Sequence, residues 1–177
     1  RHPRRQPEYC RVRAAMCRLR ARRPTRREPG EDRRSLELRK DYLDTWVNLG
    51  YVLNEIGDFA EAKSVLERAL ALAPQSRDAY LNLGITYLRQ KLFREAEQFF
   101  RKSVQIAPDF VNGWSNLGQA MLNQGRLSEA VLCYQRALAI YPGYQLGRNL
   151  LAQAYLIGRL PRLAEEELIR VLNADPA

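Results

Sequence analysis

Three asparagines fall 34 residues apart: Asn48 in WVNLG, Asn82 in YLNLG and Asn116 in WSNLG. An amide side chain offers one acceptor and two donor hydrogens, the same mixture that a peptide backbone carries. A column of such side chains can hold an extended chain with little regard to that chain's own side groups. Around the column stand further candidates for a binding groove: Asp44, Val47, Tyr51, Leu81, Ile85, Asn112, Ser115, Gln119 and Gln153. At the fourth place Leu150 replaces the next asparagine and Asn149 lies one residue early, which leaves three full rungs. The competing reading is that these asparagines are plain solvent-facing residues of a repeat.

The residue types that catalysis needs are scarce. His2 is the only histidine, so most imidazole catalysis and His-ligated metal chemistry is excluded. The three cysteines, Cys10, Cys17 and Cys133, show no metal-type clustering. Cys133, beside Val131 and Tyr134, reads as a small apolar residue of a helix. No glycine loop suited to phosphate appears, and the run Glu165-Glu166-Glu167 reads as a solvated helix face. No nucleophile–base pair can be assembled. The expectation is no enzyme activity and no cofactor.

The elements that would position the asparagines come from a repeat. Four segments align without a gap at a period of 34, beginning at Leu43, Arg77, Val111 and Gln145. Each later holds an alanine (Ala62, Ala96, Ala130, Ala164) and closes on a proline (Pro74, Pro108, Pro142, Pro176). Each unit contains two stretches of about 14 residues with apolar residues at helical spacing. Turn residues separate them, as in Ile56-Gly57-Asp58 and Gln124-Gly125-Arg126. Gly50, Gly84 and Gly118 are expected to face Ala62, Ala96 and Ala130, where small residues let two backbones approach. Trp46, Tyr80 and Trp114 are expected to fill the space between neighbouring units. Each proline ends a unit, because the residue before it is driven out of helical conformation. One pair cannot bury its apolar face alone, so units must stack.

This pattern resembles the tetratricopeptide repeat family, whose motif is W-x2-L-G-x2-Y, then Ala, a large apolar residue, Ala and Pro. The first unit matches with Trp46, Leu49, Gly50, Leu53, Ala62, Leu66, Ala69 and Pro74. The second matches with Tyr80, Leu83, Gly84, Tyr87, Ala96, Phe100, Ser103 and Pro108, and the third with Trp114, Leu117, Gly118, Met121, Ala130, Tyr134, Ala137 and Pro142. The fourth departs, with Arg148, Leu151, Ala152, Tyr155, Ala164, Leu168, Val171 and Pro176. The resemblance implies an all-α fold, an α-solenoid of about eight helices in antiparallel pairs. It also implies a concave groove lined by first helices, and a protein or peptide ligand. The asparagine column resembles the ladder of the O-linked N-acetylglucosamine transferase array. Arrays that clamp the C-terminal carboxylate of heat-shock chaperones use Lys and Arg on their first helices. Here those places hold Val47, Tyr51, Asn82, Asn112 and Asn116, so a carboxylate clamp is not expected.

Charge separates the array from what precedes it. The 177 residues carry 29 basic and 20 acidic side chains, a net of +9. Residues 1–34 hold 13 arginines against 4 acidic residues, which accounts for the whole excess. Four prolines interrupt this arm, and only residues 8–23 have the spacing of a short basic amphipathic helix. The arm is expected to have little order; any nucleic-acid or acidic-surface binding would run through it. Residues 35–42 look like the end of an earlier helix, with Lys40 where a proline would stand. The array then covers 43–76, 77–110, 111–144 and 145–177. No polar helix follows the last pair, whose Leu168, Val171 and Leu172 are expected to be exposed; that suggests a fragment, a covering partner or self-association. No apolar run reaches the roughly 18 residues of a membrane span, and a cytoplasmic location is the default. The leading expectation is a non-catalytic scaffold that binds an extended peptide or a partner's helix. A second is the substrate-binding part of a larger enzyme, such as a glycosyltransferase.

Overall fold

The computed structural model describes residues 33–174, with side chains over 43–173. The arm helix expected at 8–23, His2, Cys10, Cys17 and Pro176 lie outside the described residues. Eight helices and no strands occur among the described residues. They form two compact units divided after Pro74.

The first unit is one helix pair, α1 (Arg33–Ile56) and α2 (Phe59–Leu72). Helix α1 runs unbroken for 24 residues. Residues 35–42 are therefore its first turns, not the end of a separate helix. The reason is local: Lys40 keeps the backbone N–H that a proline would lack. Gly57 then turns the chain at a φ of 87°, and Asp58 caps α2 by accepting from the Glu61 N–H at 3.2 Å. Trp46, Leu53, Ala62 and Leu66 are buried in the pair, and the Arg68 guanidinium lies 5.6 Å from the Trp46 ring centre.

The second unit stacks three pairs: α3 (Arg77–Arg89) with α4 (Phe93–Ile106), α5 (Val111–Asn123) with α6 (Leu127–Ile140), and α7 (Gln145–Ile157) with α8 (Pro161–Ala174). Helices α4 and α6 stop two residues before Pro108 and Pro142, as the proline spacing predicts. The glycines, however, meet a different partner from the one expected. A Cβ on Gly84 would collide with the Phe100 ring, and one on Gly118 would lie 2.6 Å from the Tyr134 ring. The approach is thus glycine against a large ring one helical turn beyond the alanine, not small residue against small residue. Phe100 and Tyr134 are fully buried as a result. In the second repeat Ser103 replaces the family's second alanine, and its hydroxyl donates to the Arg77 carbonyl at 2.9 Å.

The turn inside every pair uses one left-handed residue at the same place: Gly57, Lys91, Gly125 and Arg159. Lys91 sits at a φ of 62° and Arg159 at 58°, where a Cβ crowds the following carbonyl. Lys91→Gly is therefore expected to stabilise the protein by about 0.5–1 kcal/mol, read as a higher urea midpoint at unchanged slope. A lower midpoint would show that the Lys91 backbone is unstrained.

The position of the large aromatic marker is solved differently in each pair. Tyr80 stacks on Phe99, with ring centres 6.4 Å apart. Trp114 donates its indole N–H to the Pro108 carbonyl at 2.9 Å. Arg148 makes the equivalent bond to the Pro142 carbonyl at 2.8 Å and adds a 2.9 Å pair with Glu167. Glu167 occupies the place of Phe99 and Cys133. It is buried and also bound by Arg170, so the run 165–167 is not one solvated face; only Glu165 and Glu166 are exposed. Cys133 packs with its sulfur 3.6 Å from that of Met121, and burial pushes its thiol pKa up to about 11. That environment suits a packing residue and opposes thiolate chemistry.

A buried carboxylate joins the first two pairs of this unit. Glu97 on α4 receives Gln124 at 2.8 Å, both oxygens of its carboxylate take Arg126 at 2.8 Å, and Arg101 lies at 2.6 Å. Burial alone would raise the Glu97 pKa. Hydrogen bonds from Gln124 and Arg126, with the charges of Arg101 and Arg126, overcome that and hold it below the usual carboxylate range.

Candidate binding face

In the second unit the first helices α3, α5 and α7 lie side by side. On a helix, residues at i, i+4, i+7 and i+11 share one face. That face carries Asp78, Asn82, Ile85 and Arg89 on α3. It carries Asn112, Asn116, Gln119 and Asn123 on α5, and Leu146, Leu150, Gln153 and Ile157 on α7.

The asparagines expected to act as rungs are not equivalent in their surroundings. Asn116 is half-buried and its amide donates to the Asn112 carbonyl at 2.8 Å, using one of its two donor hydrogens. Asn82 is buried at 7% exposure and donates to the Asp78 carbonyl at 3.1 Å. Its backbone carbonyl accepts from the Thr86 hydroxyl at 2.8 Å. Asn48 is exposed on α1, within the first unit, as are Asp44 and Tyr51. Among the other candidates, Asn112, Asn149 and Gln153 are exposed, and Ile85 and Gln119 are half-buried.

Val47, Leu81 and Ser115 do not line a surface. They are buried, and the Ser115 hydroxyl donates to the Val111 carbonyl at 3.1 Å. One residue of helical rotation, about 100°, separates them from the position of Asn48, Asn82 and Asn116, where Asn82 is itself buried. Asn149 holds the same repeat position as Val47, Leu81 and Ser115 but is exposed. Five members of the face lie outside the candidates that the asparagine column suggests: Asp78, Arg89, Asn123, Leu146 and Ile157. Comparing whole helix faces across the four repeats, not one position, would have found them.

Among the described residues no group of three or more His, Cys, Asp and Glu is placed to hold a metal, and no helix is long and apolar enough to cross a membrane. Two tetratricopeptide repeat family models match the chain, one over residues 41–109 and the other over residues 111–144. No curated protein matches the chain significantly. Among solved structures, a crystal structure of MamA is similar at 20% identity, covering 80% of this chain and 82% of that one with a TM-score of 0.67. MamA from Desulfovibrio magneticus RS-1 is similar at 21% identity over 75% of each chain, with a TM-score of 0.66. The pilF protein of Pseudomonas aeruginosa is similar at 24% identity, covering 77% of this chain and 63% of that one, with a TM-score of 0.72. At these identities the likeness is one of fold.

Proposed function

Since the chain belongs to the tetratricopeptide repeat family, a family of protein-interaction repeats, we propose that it holds an extended segment of a protein partner on the face of its first helices. The observation that carries this reading is helix α5. All four residues of its face are amides, Asn112, Asn116, Gln119 and Asn123, and none is charged. Amides can both donate to and accept from a peptide backbone, so affinity would come from main-chain bonds and depend little on the ligand's charge. The Asn116 bond to the Asn112 carbonyl supports this by fixing the side chain before any ligand arrives. The role is one of binding, without catalysis.

The test is replacement of Asn112, Asn116 and Gln119 by alanine. Each net hydrogen bond contributes about 0.5–1.5 kcal/mol, so three together are expected to weaken a peptide selected on the wild-type chain by at least roughly 10-fold. Far-ultraviolet circular dichroism should be unchanged, because alanine favours helix. Unchanged affinity in a helical variant would remove the amide face from the binding site.

A further inference from the structure

The face changes character at its last helix. Where α5 carries Asn112, Asn116 and Asn123, α7 carries Leu146, Leu150 and Ile157 at the same three repeat positions. Leu146 and Ile157 are each 56% exposed. This exposure belongs to the positions and does not depend on what lies next to α7. Asn112 and Asn123 are also exposed, although their helix pair has neighbours on both sides. Leu172 is the contrasting case: it is 73% exposed, while its counterpart Val104 is 7% exposed under a following pair. So Leu172 shows an interior position without cover, and Leu146 and Ile157 show apolar groups on the outward face itself. An uncharged apolar stripe in contact with solvent gains from covering by an apolar group and offers nothing to an ionic one.

We propose that the partner segment presents one large aliphatic or aromatic side chain to Leu146, Leu150 and Ile157, next to the stretch of backbone held by the α5 amides. This rests on the reading that the face takes peptide. It adds the selectivity that a column of amides cannot supply: the amides hold any extended chain, and α7 selects those with an apolar residue at one place.

The experiment uses the full chain as bait for a phage-displayed library of random 12-residue peptides. Enriched peptides are expected to share one Leu, Ile, Met or Phe at a fixed place and no preference elsewhere. Panning on the Leu146→Asn/Leu150→Asn/Ile157→Asn variant, which restores the α5 residue types, should erase that preference. A synthetic peptide from the first panning should bind the variant about 10- to 100-fold more weakly. Because Leu150 is half-buried, the double variant Leu146→Asn/Ile157→Asn alters only exposed residues and should give the same direction of change. Peptides that lose binding on Asn112→Ala/Asn116→Ala but not on either α7 variant overturn this inference and leave the amide reading standing. No enrichment, or insensitivity to both sets, overturns both. Sedimentation that shows self-association of the wild-type chain, abolished by the α7 variants, would assign the stripe to a second copy and also overturn the proposal.

Discussion

Phe100→Ala is expected to lower the free energy of unfolding by about 3–5 kcal/mol, measured by urea titration of the helical signal. The ring is fully buried, and α3 approaches it through Gly84, which has no side chain to relax into the void. The lost transfer energy and the cavity therefore add. The converse substitution, Gly84→Ala, places a methyl inside the ring's own volume. It should cost about 1–3 kcal/mol by overpacking. The two changes share one space, so they must not add. In Gly84→Ala/Phe100→Ala the new methyl occupies part of the cavity, and the double variant should be more stable than the sum of the singles predicts by about 1 kcal/mol or more. Additivity within about 0.5 kcal/mol would show that Gly84 and Phe100 do not meet. The same cycle at Gly118 and Tyr134 repeats the test one unit further on.

Glu97→Ala is the second large effect, about 2–3 kcal/mol of destabilisation. Glu97 is 5% exposed, and its carboxylate is bound by Gln124, Arg126 and Arg101. A hydrogen bond to a charged group contributes about 1.5–3 kcal/mol. The loss stays below the roughly 3–5 kcal/mol of a fully buried broken pair, because the side chains of Arg126 and Arg101 are 35% and 48% exposed and can take up water. The pH dependence has a definite sign. A carboxyl whose folded pKa is depressed stabilises the fold above its unfolded pKa, near 4.3 for glutamate. That contribution is lost as pH falls through the lower folded value. The melting-temperature gap between the wild-type chain and Glu97→Gln should therefore be full at pH 6 and 7 and shrink on acidification below about pH 4.3. A gap independent of pH would mean that the charge of Glu97 is not what the network uses.

Much of this molecule is legible in its sequence because the repeat reports equivalence directly. The prolines at 108 and 142 mark the ends of α4 and α6, and the starts at Arg77, Val111 and Gln145 are helix starts. Direction is what a period of 34 does not report. Val47, Leu81 and Ser115 share a column as surely as the asparagines beside them and are buried, whereas Asn149 in that same column is exposed. The glycine contact failed for a related reason. Small residues at matching places suggest mutual contact, whereas the space left by Gly84 and Gly118 is taken by the large residue one turn on. Within the asparagine column alone, Leu150 marks only a missing rung. Taken together, the four residues of the helix face show three changing from amide to aliphatic, with Gln153 still an amide.

The Arg148–Glu167 pair limits how this chain can be shuffled. Both residues lie within one 34-residue unit and stand where another unit places Tyr80 against Phe99. A recombination crossover between residues 148 and 167 would leave an arginine facing an apolar slot, or a buried glutamate held by Arg170 alone. A crossover in the loop before Gln145 would move the pair intact. The carboxylate at Glu97 behaves oppositely, because its partners Gln124 and Arg126 belong to the next unit. An exchange that keeps the Glu97 network must therefore move the second and third repeats together, while the Arg148–Glu167 pair travels within the fourth repeat alone.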